Sequence, residues 1–262
     1  MGELSVASAL RVGAAQVCAR DSVLVGHEGR VTVRSGERER VARHAMHGAL
    51  LAVASGVGEG ADVASASAVR SVGRLASTDV PRRPDRVLSR YLLAAHEALH
   101  QSALDRGQHL AASLCAIWAV DGKLGWLHVG DTCIVRLQRG RVARLTTEHT
   151  AAEFGHRRGR PVGSAPLDVV QRFIAGSIGL GDDASLHLQQ GLDFGLEPLE
   201  PADCYLLTTH AVAHALDDAA LGEVMSTGDA EEVATRCVRR AGHVHPEEAA
   251  TAAVLIVGER SG

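Results

Sequence analysis

Four strand-like segments follow one another almost without interruption between residues 111 and 147: AASLCAIWAV, KLGWLHVG, CIVRLQRG and RVARLTT. Asp121-Gly122 and Arg139-Gly140 stand at the turn positions between them, and glycine there supplies the positive φ that tight hairpin turns require. The spacing predicts an antiparallel meander. Further strands are expected at 4–13, 21–25, 30–34 and 48–55, and in CYLLTTHAV and TAAVLIVGE near the C-terminal end. Helical spacing marks 61–76, where Val69 and Val72 share a face, and a stretch ending near Asp105, with Leu88, Tyr91, Leu92, Ala95 and Leu99 on one side. Asp85 is a plausible cap for that second helix. Two more helices are expected at 213–225 and 229–242. Helices inserted in pairs between sets of antiparallel strands argue an α+β fold, with helices layered on two sheets.

Residues 151–200 are the least regular part, and neither a repeat nor a low-complexity linker divides the chain, so one domain spanning 1–262 is expected. Apolar residues make up 46% but aromatics only 3%, so the core must be built from Ala, Val and Leu. The 27 basic and 31 acidic residues are dispersed, which argues against nucleic acid or an anionic membrane surface as partner. No apolar run reaches the length of a membrane span. The five cysteines (Cys18, Cys115, Cys133, Cys204 and Cys237) include no CxxC pair and read as reduced, mostly buried thiols. A cytoplasmic protein is the expectation.

Three short patterns suggest chemistry. Gly56-x-Gly58-x-x-Ala61, between a strand and a helix, resembles a dinucleotide loop, but where such a unit needs a second parallel strand ending in an acidic residue the chain has the turn STDVPRRPDR and another helix. HEALH (96–100) matches the His-Glu-x-x-His zinc motif. Its metzincin extension fails at Ala103 and Arg106, and a helix carrying two polar histidines is the simpler reading. GHVHPEE (242–248) offers His243, His245 and Glu248 to a divalent ion, against the commoner reading of an exposed polar loop.

Longer fragments, in order, resemble the metal-dependent serine/threonine protein phosphatases of type 2C. LHVGDTCIVRLQRGRVARLTTEHT (127–150) is similar to that family's strand, Gly-Asp-Ser-Arg, second strand, glycine turn and Leu-Thr-x-Asp-His. LEPADCYLLTTHAV (199–212) resembles its acidic turn running into Leu-Leu-x-Ser-Asp-Gly-Leu, and HPEEAATAAVLIV (245–257) its Asp-Asn-x-Thr and last strand. LLAVASGVGEGADVAS (50–65) resembles Val-x-Asp-Gly-Met-Gly-Gly, and QVCARDSVLV (16–25) resembles Arg-x-x-Asn-Glu-Asp. The resemblance implies a central β-sandwich of two antiparallel sheets flanked by helix pairs, in four layers α-β-β-α, with a flap within 151–200. It also implies two metal ions bridged by the water that attacks a phosphoryl group.

The positions that would carry this chemistry are altered. The family's phosphate-binding arginine falls on Gln16, its Glu-Asp pair on Arg20 and Asp21, and its Asp-Gly on Ser55 and Gly56. The aspartate of Ser-Asp-Gly falls on His210 and that of Asp-Asn on Glu248, while Asp131 of the Gly-Asp motif is kept. Five family carboxylates summing to −5 become Arg20, Asp21, Ser55, His210 and Glu248, summing to −1 with histidine neutral. At about 4 Å and an effective dielectric of about 20, one like-charged monovalent pair repels by roughly 4 kcal/mol, and a divalent ion beside a guanidinium feels about double.

The expectation is a pseudophosphatase without a metal cofactor that binds a protein, possibly a phosphorylated one, with Arg20 and His210 as anion contacts. The alternative is an active phosphatase with a remodelled manganese or zinc site built from Asp21, Asp131, His210 and Glu248. The oligomeric state is left open.

Overall fold

The computed structural model describes residues 3–14, 20–36, 38–43, 48–58, 60–77, 82–107, 110–149 and 193–259. Alternation within the apolar strands sets the layers. In β5 (Ala49–Val57), Leu50, Ala52 and Ala54 point to one side and Leu51 and Val53 to the other, and all five are fully buried. β6 (Ala111–Val120) repeats the pattern, with Leu114, Ala116 and Trp118 opposite Cys115 and Ile117. A strand covered on both faces reads as a continuous apolar run, as these two do.

Around them, β1 (Leu4–Arg11), β2 (Asp21–His27), β3 (Arg30–Ser35), β4 (Arg38–Arg43), β7 (Lys123–Val129), β8 (Cys133–Gln138), β9 (Arg141–Arg144), β10 (Asp193–Pro198), β11 (Cys204–Thr208) and β12 (Ala250–Val257) complete two sheets. The seven-stranded sheet has the order β10-β7-β6-β5-β2-β3-β4 and the five-stranded one β1-β12-β11-β8-β9, antiparallel throughout. Leu51, Val53 and Ile117 meet Tyr205, Leu207 and Leu255 between the sheets. α1 (Ala61–Gly73) and α2 (Pro84–Arg106) cover the larger sheet, and α3 (His210–Ala215), α4 (Asp218–Met225) and α5 (Ala230–Val244) cover the smaller. The expected α-β-β-α sandwich is the observed one.

Several local expectations need correction. The meander over 111–147 is two hairpins, β6–β7 in one sheet and β8–β9 in the other. The chain changes sheet at Gly130-Asp131-Thr132, where Gly130 takes a φ of 96°. The stretch 213–225 is two helices, because Asp217 caps a new one by accepting from the Ala220 N–H at 2.8 Å. Asp85 does not cap α2. The cap is Arg83, whose guanidinium pairs with Asp85 at 2.6 Å. Cys115, Cys133, Cys204 and Cys237 are buried and free, and Cys18 lies outside the described residues. Among the described residues, no helix is long and apolar enough to cross a membrane.

Candidate functional site

A cavity of about 260 Å³ opens at one end of the sandwich, lined by Arg20, Asp21, Ser55, Gly56, Asp131, Thr209, His210, Ala211, Glu248 and Ala249. Its floor is Asp21, the first residue of β2, paired in register with Ser55 of β5. The Thr251 hydroxyl on β12 donates to Asp21 Oδ2 at 3.0 Å, so this carboxyl ties the two sheets together. Thr209 Oγ1 accepts the Thr251 N–H at 3.1 Å, which leaves its proton to Asp21, and the Ser55 hydroxyl reaches the same carboxyl. Burial pushes the Asp21 pKa up to about 6, against the opposing pull of these hydroxyls. Gly56 is required beside it: a Cβ there would lie 1.8 Å from the Ala61 carbonyl oxygen at the start of α1.

Asp131 enters from the sheet-switching turn. Gly130 exchanges two bonds with His149: its N–H donates to His149 Nδ1 at 3.1 Å, and its carbonyl accepts the His149 N–H at 2.7 Å. Thr146 Oγ1 accepts the Ile134 N–H at 3.0 Å, so the Leu-Thr-x-x-His stretch is laced back onto β8. Burial raises the Asp131 pKa, countered by the Ser113 hydroxyl and His210. His210 Nδ1 lies 3.9 Å from Asp131 Oδ2 and 4.0 Å from Glu148 Oε1, and neither it nor Asp131 Oδ1 has a hydrogen-bond partner among the described residues. One helical turn on, His214 Nε2 meets Glu148 Oε1 at 2.5 Å, and the His210 and His214 rings sit 4.0 Å apart. The hydrogen bond to Glu148 raises the His214 pKa; Glu148, despite its burial, is held low by His214, His210 and Arg144.

The seven metal-site positions that the resemblance named, Arg20, Asp21, Ser55, Gly56, Asp131, His210 and Glu248, thus line one cavity, and Gln16 lies outside the described residues. Asp21, Asp131, His210 and Glu248, the alternative ligands, are all among the cavity's lining residues. His210 also groups with Glu148 and His214, their donor atoms lying within 4.8 Å of one another. Arg20 is exposed and makes no ion pair with a described residue. His96 and His100 stack at 6.4 Å on α2, but among the described residues no third donor joins them. His243 is exposed and His245 caps α5; neither lines the cavity with Glu248. The glycine loop after β5 leaves an antiparallel sheet, which removes the dinucleotide reading.

The model of the family described as protein phosphatase 2C matches residues 39–156. Comparison with curated protein sequences gives no match. The fold is similar to that of the Mycobacterium tuberculosis serine/threonine phosphatase PstP, with a TM-score of 0.76 at 20% identity over 98% of this chain and 99% of that one. The Staphylococcus aureus serine/threonine phosphatase Stp1 superposes with a TM-score of 0.78 at 13% identity, over 99% and 96% of the two chains. The PPM phosphatase MsPP of Mycobacterium smegmatis gives 0.72 at 20% identity, over 99% and 100%. This is the protein phosphatase 2C fold. Another structure of the PstP catalytic domain, also at 20% identity, holds two manganese ions.

Two features of this phosphatase 2C fold escaped sequence reasoning. His214 follows His210 by four residues, a spacing that places both on one helical face, but it went unnoticed because the helix was expected to start at 213. The second is a cluster of the buried His128 and His149 with the half-buried Asp193. Asp193 stands opposite His128 in the β7–β10 pair, and its Oδ2 accepts from His149 Nε2 at 3.0 Å. No short motif announces it, since the three residues come from separate parts of the chain.

Proposed function

We propose that this phosphatase 2C domain is a pseudophosphatase: a module whose cavity binds a phosphorylated protein without metal-dependent hydrolysis. The observation that carries the reading is the state of the cavity floor. A pair of divalent cations needs a concentration of free carboxylate oxygen. Here Asp21 accepts hydrogen bonds from the Thr251, Ser55 and Thr209 hydroxyls, and burial raises its pKa to about 6. Ser55 and His210 line the cavity at positions where the resemblance places aspartates, and Arg20 lines it where the resemblance places a glutamate. These side chains do not fit a pair of divalent ions.

The same lining suits an anion. A guanidinium matches a phosphoryl group through paired N–H donors. Arg20 is exposed, lines the cavity and forms no ion pair with a described residue, so its guanidinium is open to such a group. Titration of the protein with phosphoserine and phosphothreonine peptides tests the reading. Saturable binding that falls about tenfold or more in Arg20→Ala is the expected outcome. No binding, or binding indifferent to Arg20→Ala, would overturn it.

A further inference from the structure

We infer that Glu148, His210 and His214 form a single transition-metal site that takes zinc, at the rim of the cavity, sharing only His210 with the two-ion centre that the resemblance implies. His210 and His214 are four residues apart on α3 and so project from one helical face, while Glu148 approaches from the loop after β9. Their three donor atoms lie within 4.8 Å of one another. Two imidazoles and one carboxylate are a donor set that zinc accepts with a fourth position open, and magnesium, which prefers oxygen alone, does not.

A second observation points the same way. His210 Nδ1 is shielded from solvent with no hydrogen-bond partner among the described residues. An orphaned imidazole nitrogen in such a place costs free energy unless a ligand meets it. Glu148 and His214 hold each other at 2.5 Å, so in the metal-free state the carboxylate is already positioned by one of its co-ligands. The side chains of Glu148 and His214 remain 26% and 40% exposed, which leaves an entry path for the ion.

The neighbouring cluster of His128, His149 and Asp193 offers the same residue types but does not qualify. His149 Nδ1 accepts the Gly130 N–H, so its proton sits on Nε2, directed at Asp193. A metal on Nε2 would force a proton onto Nδ1, against that backbone N–H. No equivalent bond commits His210 Nδ1.

The inference does not depend on whether the cavity takes a phosphate. It is tested on the full chain, stripped with a chelator, by calorimetric titration with zinc and separately with magnesium. One zinc per chain and no magnesium binding are expected, with zinc affinity falling roughly 100-fold or more in His214→Ala. Asp21→Asn should leave zinc binding within about twofold of the parent protein, because Asp21 is not a donor to this site. Cobalt substitution gives a readout that needs no variant: intense visible bands of a four-coordinate site are expected. Failure to bind zinc, unchanged affinity in His214→Ala, loss in Asp21→Asn alone, or the weak bands of six-coordinate cobalt would each overturn the inference. Should His214→Ala fail to fold, His214→Gln and the cobalt spectrum decide.

Discussion

The floor and the rim of the cavity are a few residues apart yet are built on opposite terms. At the floor, Asp21 is fully enclosed and its carboxyl is met by hydroxyls from both sheets. At the rim, Asp131 Oδ1 and His210 Nδ1 are buried with no hydrogen-bond partner among the described residues, and Glu148 and His214 reach solvent. A satisfied polar group has little to offer a ligand, whereas an unsatisfied one gains from whatever completes it. The difference teaches that capacity for a ligand follows unsatisfied donors and acceptors rather than the number of charged residues.

The strongest way to break the comparison is to disturb the floor's backbone. Gly56→Ala should cost about 3 kcal/mol or more of unfolding free energy, read by denaturant titration, because its Cβ would meet the Ala61 carbonyl oxygen at 1.8 Å. Loss of phosphopeptide binding should accompany it.

Asp21→Asn sharpens the comparison through pH. The Asp21 pKa is about 6 in the fold against 3.8 unperturbed, so the folded chain binds this proton more tightly than the unfolded one. The stability this proton confers is fully present below about pH 4 and lost as pH rises through about 6, amounting to about 3 kcal/mol. The stability of Asp21→Asn relative to the parent protein should therefore rise by that amount between pH 4 and pH 7. An unchanged difference would mean that the floor is not desolvated as described.

Thr251→Val removes one donor to Asp21 and should cost about 1–2 kcal/mol while raising the Asp21 pKa further. The smallest effect is expected at the rim: His214→Ala without metal should change stability by less than about 1 kcal/mol, since a part-exposed ion pair contributes little. A loss comparable to that of Thr251→Val would mean that the rim is structural after all.

Most of the layered fold was legible in the sequence, because β5, β6 and β12 announce themselves as apolar runs and α2 as a periodic stripe. Two strands were not. β4, RERVAR, is an edge strand carrying Glu39 and Arg40, charges that protect an edge while erasing the apolar signal. β10, DFGLEP, carries a glycine and a proline and also lies at a sheet edge. The sheet switch at Gly130 was hidden because a glycine turn reads the same whether the next strand stays in the sheet or leaves it.

For the site, the resemblance picked out Asp21, Ser55, Asp131, His210 and Glu248 as a set, and the fold brings them to one cavity. What the sequence concealed was the partnership of each: that Thr251 and Thr209 would occupy Asp21, and that Glu148 and His214 would gather at His210. Those contacts join residues up to 230 positions apart, beyond any local pattern.

On the proposed reading, the floor does not support two-metal hydrolysis. That claim is tested most directly by aryl phosphate hydrolysis in millimolar manganese, comparing the parent protein with Asp21→Ala. Background rates that do not differ between the two are predicted. Turnover in the parent protein that disappears in Asp21→Ala would contradict the claim and show that Asp21 still serves a metal.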